Sequence, residues 1–489
     1  MQPIPSICPV EPMTKSLYWY DLETTGTNPR WDRIVQFAGV RTDLDLNPIG
    51  DEYCTYVELP DDVLPDPDAT LVTGITPALI QREGISEWRA LTKIQEIFSQ
   101  GETCVTGYNS LRFDDEFIRY GFYRMLLDPY TREWQNNNSR WDIVDLVRAC
   151  GALRRDGIEW PTTAEGQPVY KLELLTKANG IEHGNAHDAL SDVRATIAIA
   201  KLIKTSQPRL YDYYFNHRQK KQVKKLLEPY GARTCLHVSG MYPRERYCSA
   251  PVISICRHPT NSNSIVVADL SQDIESLLQW SAAEIQKKLF KSGEKQRPPL
   301  KEIRINRCPF VVGLEVMTQE NFSRMGFDRK EIDERRRRLL KPGIARKIAS
   351  VYRDREHEAA IDPEAALYDA FLQDADRSRC ASLHSGLRNS VWVDLDFDDK
   401  RLASLSRRLK ARSFPALMSI DEAAEWREFV VAKLHTKDAP WLTLQALTQR
   451  LEVLREQSVN DAGVEGERRS RLLEALADHA SGLALRYPP

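Results

Sequence analysis

Leu17-Tyr-Trp-Tyr-Asp21-Leu-Glu23-Thr-Thr-Gly26 is the stretch on which the reading of this chain turns. Its apolar, aromatic first half reads as a β-strand, and Thr-Thr-Gly ends that strand in a turn. Side chains alternate along a strand, so Asp21 and Glu23 emerge on one face with Cα atoms roughly 7 Å apart. Two carboxylates at a strand end can therefore reach one cation. Alone, an Asp-x-Glu pair in such a place is more often a solvated turn, so the weight falls on what accompanies it.

Two further contexts do. Thr103-Cys-Val-Thr-Gly107-Tyr-Asn109-Ser-Leu-Arg-Phe113-Asp114 reads as a short strand, a turn and then a helix carrying Asp114 in its first turn. His187-Asp-Ala-Leu-Ser-Asp192 places a loop histidine five residues ahead of an aspartate and leads into the helical pattern Leu190, Val193, Ile197, Ala200. Each is weak singly. In this order, each at a strand end or helix start, Asp-x-Glu, Asn-x3-Phe-Asp and His-x4-Asp resemble the three motifs of the DEDDh superfamily of 3′→5′ exonucleases. His187 in place of a tyrosine selects the histidine branch.

The surroundings of these motifs narrow the resemblance. Gly107-Tyr-Asn-Ser-Leu-Arg-Phe-Asp-Asp-Glu-Phe117, Asp128-Pro-Tyr130, Asn138-Ser-Arg-Trp-Asp142, Leu175-Thr-Lys-Ala-Asn-Gly-Ile-Glu-His183 and Asn185-Ala-His-Asp-Ala-Leu-Ser-Asp192 are similar to the bacterial exodeoxyribonuclease I family, single-strand-specific enzymes. The likeness continues in Gln207-Pro-Arg-Leu-Tyr-Asp-Tyr213, His237-Val-Ser-Gly-Met241, His258-Pro259, Ile305-Asn-Arg-Cys-Pro309 and Ala411-Arg-Ser-Phe-Pro415. It fades at residues 242–248, at 291–297 and after about 421. Lys171 stands where the family usually has an arginine, which keeps the charge but loses a bidentate fork for phosphate. The fold implied is α/β: an RNase H-like (DnaQ-like) exonuclease domain with a mixed sheet over residues 15–205, an SH3-like β-barrel domain with a helical insertion over 206–355, and an all-α C-terminal domain over 356–489.

Composition is compatible with this and excludes other classes. The chain has 489 residues, 42% hydrophobic and 28% charged, as in a globular protein of several domains. Lys plus Arg number 68 against 70 Asp plus Glu, so a polyanion would have to meet a local basic groove. Nine cysteines (Cys8, Cys54, Cys104, Cys150, Cys235, Cys248, Cys256, Cys308, Cys380) with no Cys-x2-Cys pair argue against a zinc site or a disulfide framework and for reduced thiols. No export signal precedes Leu17 and no apolar run approaches about 18 residues, so a cytoplasmic protein without membrane insertion is expected.

Patterning predicts strands over 34–40 and 53–59 and a helix over 88–98, then a single cationic helix over 213–227 holding His217, Arg218, Lys220, Lys221, Lys224 and Lys225. Short runs at 234–238, 251–256, 264–270 and 303–312 predict the barrel-like β domain, with a helical insertion over 276–290. Helices are expected from about residue 318, and an all-α remainder from 359. Arg335-Arg-Arg-Arg338, preceded by Glu331, Asp333 and Glu334, reads as a solvated helix face and not as a nucleic-acid site.

Phosphodiester hydrolysis needs a nucleophile at neutral pH and compensation of charge on the phosphate and leaving oxygen, which two divalent ions about 4 Å apart supply. Hard carboxylate ligands suit Mg²⁺, with Mn²⁺ as a substitute. The resemblance implies that Asp21 bridges two ions, that Glu23 and Asp192 hold the one on the nucleophile side, and that Asp114 acts mainly through water. His187 would accept the attacking water's proton, a task its near-neutral pKa fits. Tyr130, Trp134, Arg140, Trp141 and Arg148 interleave aromatics with cations, as a single-strand channel requires. Trp141 also opens the apolar stripe of Val144 and Val147, so core packing and stacking remain open for it, whereas Trp134 should be exposed. The expected substrate contacts are Glu23, Arg119, Tyr130, Trp134, Arg148, Arg154, Tyr170 and Lys171, with Lys220, Asn263 and Lys301 from the middle domain, those three by resemblance.

The expected partners are single-stranded DNA and, by resemblance, single-stranded DNA-binding protein, whose acidic tail would need a basic pocket; the chain should be a monomer. About 280 residues follow the catalytic segment, and tethered weak contacts from them would hold the strand through many cycles. Competing readings are another DEDDh exonuclease acting on RNA or in proofreading, whose catalytic unit would match residues 15–205 alone, and a catalytically silent scaffold that binds DNA or protein.

Overall fold

The computed structural model describes residues 15–50, 52–184, 188–291, 293–353, 359–458 and 463–489; His187 lies outside the described residues. Six strands form the first sheet: β1 (Ser16–Thr24), β2 (Ile34–Thr42), β3 (Tyr53–Val57), β4 (Gly84–Ile85), β5 (Thr103–Thr106) and β6 (Ser139–Arg140). Their order is β4-β3-β2-β1-β5-β6. β1, β2 and β3 pair antiparallel, while β5 runs parallel to both β1 and β6, so the sheet is mixed.

β1 is central and covered on both faces, which is why its sequence is almost continuously apolar. Alternation divides it cleanly. Leu17 and Trp19 join an apolar cluster with Val193, Ile197 and Ala200 of the Ala189–Ser206 helix, and that cluster continues into the second domain. Tyr18, Tyr20 and Leu22 join another with Phe98, Phe117 and Phe122, and it continues into Leu383, Leu402 and Leu405 of the C-terminal helices. Asp21 and Glu23 share the parity of Leu17 and Trp19 and so face the helix that carries Asp192.

The second sheet is antiparallel and five-stranded: β7 (Thr234–Val238), β8 (Ser249–Arg257), β9 (Ser264–Asp269), β10 (Leu300–Arg304) and β11 (Phe310–Gly313), in the order β10-β9-β8-β7-β11. The run expected over 303–312 is thus two strands, not one. β10 pairs with β9 and β11 with β7, so a turn through Asn306 to Pro309 carries the chain from one edge of the sheet to the other. The helical insertion is a pair, Glu275–Gln279 and Ala282–Phe290. The single cationic helix expected over 213–227 is also two, Pro208–Asn216 and Lys220–Leu227. Between them His217 Nδ1 bonds the Tyr213 carbonyl at 2.7 Å, and the Arg218 guanidinium bonds the Phe215 carbonyl at 2.6 Å and Ser139 Oγ at 3.1 Å.

The arginine run is not simply solvated. It lies on the Arg329–Leu339 helix, where Arg335 donates to the Leu270 carbonyl, Arg336 to those of Gly231 and Ala232, and Arg338 pairs with Glu275, strapping the helix to the β domain. Arg337 keeps the expected surface character, exposed and bonding the Asp333 carbonyl of its own helix.

From Asp374 the described chain is helical, with helices Asp374–Arg388, Lys400–Ser413, Ile420–His435, Leu444–Ser458 and Gly463–Arg486. A buried charge network fastens this part to the first domain. Arg412 pairs with Asp62 at 2.6 Å and Glu364 at 2.7 Å, Lys433 with Asp62 at 2.7 Å, and Arg33 with Glu364. Burial would raise the carboxyls of Asp62 and Glu364, but Arg412 and its neighbouring cations outweigh it and hold both below the usual carboxylate range.

Candidate active site

Three local structures converge at the ends of β1 and β5. In the first, the register pairs Glu23 with Gln36 across β1 and β2. In the second, Gly107 brings the chain against Tyr20, where a Cβ would lie 2.7 Å from the Tyr20 carbonyl oxygen. Asn109 follows at φ 64°, a left-handed conformation that asparagine tolerates better than most residues. The Asp142 carboxylate closes this turn by accepting the backbone N–H groups of Asn109 at 2.9 Å and Leu111 at 3.1 Å. The Asp114–Arg124 helix then starts with Asp114 buried at its first position. In the third, Asp188 caps the Ala189–Ser206 helix by accepting from Ser191 N at 3.2 Å, and Gln36 Nε2 donates to Asp188 Oδ1 at 3.1 Å. The same glutamine that lies beside Glu23 thereby seats the helix bearing Asp192.

The result is a carboxylate cluster. Ligand oxygens of Asp21, Glu23 and Asp192 lie within 4.8 Å of one another. Burial, then Asp114 and Asp192, push the Asp21 carboxyl far above its ordinary value; burial, then Asp21 and Asp192, push Glu23 up to about 9. Asp114 is raised as well, by burial and then by Asp142 and Glu23, against a backbone hydrogen bond at the helix start. Among the described residues no cation pairs with Asp21 or Glu23. Buried like charges without a counter-ion are what a divalent cation relieves, and an all-oxygen donor set fits a hard one.

The expected substrate residues separate into groups. Trp134 is 66% exposed. Tyr130 is half-buried and meets Phe371, itself 76% exposed, edge to face at 6.2 Å. Lys171 is exposed, and Tyr170 is half-buried with its carbonyl accepting from Tyr108 Oη at 2.6 Å. Lys220 bonds Asn263 Oδ1. Lys301 lines a cleft of about 340 Å³ with Arg112, Arg297, Arg304, Arg307 and Tyr352, and Arg112 and Arg148 share the Asp145 carboxylate.

Two expected contacts are engaged within the protein. Arg119 is buried, packed over the Tyr130 ring at 5.6 Å and paired with Glu133 at 2.8 Å and Glu116 at 3.0 Å. Arg154 donates to the carbonyls of Leu153 and Val316 at a separate pocket with Arg209, Leu210 and Tyr213. Trp141 is fully buried against Tyr211, Tyr214 and Phe215, which settles its reading as core. Phe371, Arg112, Arg304 and His183 were given no role from sequence. For Arg112 and His183 the motif strings held a signal; for Phe371 and Arg304 only the folded chain brings them near.

A carboxylate cluster on the central strand of a mixed sheet, completed from the N-terminal turns of two helices, defines a metal-dependent exonuclease. Family models agree: residues 18–200 match "Exonuclease", 218–354 "Exonuclease I SH3-like domain" and 361–483 "Exonuclease I C-terminal domain". The chain belongs to the exodeoxyribonuclease I family. It is 41% identical to exodeoxyribonuclease I of Haemophilus influenzae over 89% of this chain and 93% of that one, and 38% identical to that of Escherichia coli over 94% and 97%. Crystallised E. coli exonuclease I with a dA16 oligonucleotide superposes with a TM-score of 0.91 at 36% identity, covering 96% of this chain and all of the other. Exonuclease I of Methylocaldum szegediense gives 0.89 at 40% identity over 96% and 99%.

Proposed function

We propose that the chain removes 5′-mononucleotides from the 3′ end of single-stranded DNA, using two Mg²⁺ ions for which Mn²⁺ can substitute. The observation that carries this is the carboxylate cluster of Asp21, Glu23 and Asp192, in which no cation among the described residues pairs with Asp21 or Glu23. Asp21, Glu23 and Asp192 would hold the ions, with Asp114 alongside. Bound there, the ions would supply Lewis-acid compensation for charge on the phosphate and would lower the pKa of an attacking water. His187, which precedes Asp188 in the sequence, would accept the water's proton. Glu23, Tyr170 and Lys171 would position the terminal nucleotide, while Tyr130, Trp134 and Phe371 offer stacking faces. Arg112, Arg148, Lys301 and the Lys220–Asn263 pair would track the backbone along the seam of the first two domains. Arg119 has no part in this reading.

The oligonucleotide bound to the E. coli relative supports DNA as substrate. An RNA-directed reading is weaker, since an oligoribonuclease of Mannheimia succiniciproducens matches only 38% of this chain, at 27% identity. We place the domain limits at 205 and 355, a reading supported by family-model matches over 18–200, 218–354 and 361–483. A structure of single-stranded DNA-binding protein with exonuclease I supports the same partner here, and the pocket of Arg154, Arg209, Leu210 and Tyr213 offers cations over an apolar floor for an acidic tail. A monomer in the cytoplasm, serving repair and recombination, completes the reading; among the described residues no helix is long and apolar enough to cross a membrane.

The test is digestion of 5′-labelled single-stranded and blunt duplex oligonucleotides with Mg²⁺ or EDTA. Wild type should shorten only the single strand, from its 3′ end, and Asp21→Ala should bind it without cutting. Efficient duplex degradation, 5′-end release, or Mg²⁺-dependent cleavage by Asp21→Ala would refute the proposal.

A further inference from the structure

Asp192 is held by a side chain that the metal reading leaves idle. His183 Nε2 lies 2.5 Å from Asp192 Oδ1, and His183 Nδ1 lies 3.1 Å from Thr176 Oγ1. Thr176 is fully buried on the Leu172–Ala178 helix, its hydroxyl 3.0 Å from the carbonyls of both Leu172 and Glu173. The imidazole is 8% exposed. A nitrogen and a carboxylate oxygen that close must share a proton, so Nε2–H donates and Oδ1 accepts. Thr176 fixes the ring from the other side, whether its hydroxyl donates to Nδ1 or accepts from it.

This arrangement has a consequence for ligation. Asp192 stands one turn into its helix, and a carboxylate there swings about two torsions unless something pins it. Asp21 and Glu23 lie on a central strand and need no such support. Hydrogen bonds from surrounding groups orient ligating carboxylates, and removing them typically weakens metal binding by about 10- to 100-fold. We infer that Thr176 and His183 form a positioning relay that pins Asp192 Oδ1, so that Asp192 ligates a divalent cation through Oδ2 in a fixed orientation. His183 is thus a positioning residue, distinct from the proton acceptor His187. The inference rests on the proposed metal role of Asp192.

The test measures Mn²⁺ binding to the full chain by titration calorimetry, with a 3′-phosphorothioate oligonucleotide present to block turnover, alongside oligonucleotide affinity in EDTA. His183→Ala should weaken Mn²⁺ binding at least 10-fold with unchanged oligonucleotide affinity in EDTA. His183→Gln, whose amide can still donate to Oδ1, should recover most of the loss. Thr176→Val should weaken binding by a smaller factor, because the ring stays but loses its second anchor. Wild-type Mn²⁺ affinity in His183→Ala, or a glutamine variant no better than alanine, overturns the relay. Asp192→Asn separates the two ideas: if it too binds Mn²⁺ normally, the metal role of Asp192 fails, whereas its loss beside a normal His183→Ala refutes the relay alone.

Discussion

Replacing Glu23 by glutamine should abolish hydrolysis and yet make the metal-free protein more stable. Burial, then Asp21 and Asp192, move the Glu23 carboxyl from 4.5 up to about 9. At pH 7 the unfolded chain has this group ionised, whereas the metal-free fold must keep it protonated. That costs ~1.4 kcal/mol for each pH unit above the unfolded value, or about 3 kcal/mol at pH 7. A carboxyl raised in the folded state leaves stability intact below its unfolded pKa and erodes it as pH climbs towards the folded one. Glutamine keeps the shape and escapes this loss. In EDTA, Glu23→Gln should therefore exceed wild type by up to about 3 kcal/mol at pH 7, with the gap closing near pH 4.5. Mg²⁺ at a thousand times its Kd should reverse the order, since a ligand at that excess contributes about 4.1 kcal/mol to wild type only. Urea unfolding followed by tryptophan fluorescence between pH 5 and 8, with and without Mg²⁺, reads all of this. A variant no more stable than wild type in EDTA at pH 7, with the same pH slope, refutes the view of an uncompensated cluster.

Trp134→Ala should weaken single-strand binding by about 1–3 kcal/mol with little dependence on base sequence, read by fluorescence anisotropy on dT and dA oligomers. Unchanged affinity would remove Trp134 from the strand path. Arg412→Met should destabilise the protein by about 3 kcal/mol or more, because Asp62 and Glu364 stay buried with one cation fewer; calorimetry within ~1 kcal/mol of wild type would show the network to be dispensable.

How legible was this in the sequence? The cluster was, because each ligand lies in a local pattern whose geometry follows from strand alternation or helix start. Asp21 and Glu23 needed only the period of β1, and Asp114 and Asp192 only the first turns of their helices. What failed depended on partners remote in the chain. The break at His217 and Arg218 is held partly by Ser139, and Arg335 and Arg336 find carbonyls in loops of the β domain. The ion pair of Arg119 was likewise hidden, because nothing local announces that Glu133 will face it. Phe371 could not be found at all, since its use depends on Tyr130 lying beside it. The apolar run at 303–312 misled for another reason: hydrophobicity reports burial but not that a turn divides two strands at opposite edges.

The two faces of β1 bear on how this protein can be dissected. One face shares its apolar cluster with the β domain, the other with the C-terminal helices, and Arg33 and Asp62 find their counter-charges on the latter. A fragment ending near residue 205 would contain every catalytic carboxylate and still expose both halves of its own core, with Asp62 stripped of Arg412 and Lys433 and Arg33 of Glu364. The catalytic segment is therefore a module of chemistry and not of folding. Truncation would confound lost strand retention with lost structure, so the contributions of the later domains are better separated by surface substitutions within the intact chain, which should melt as a single cooperative body.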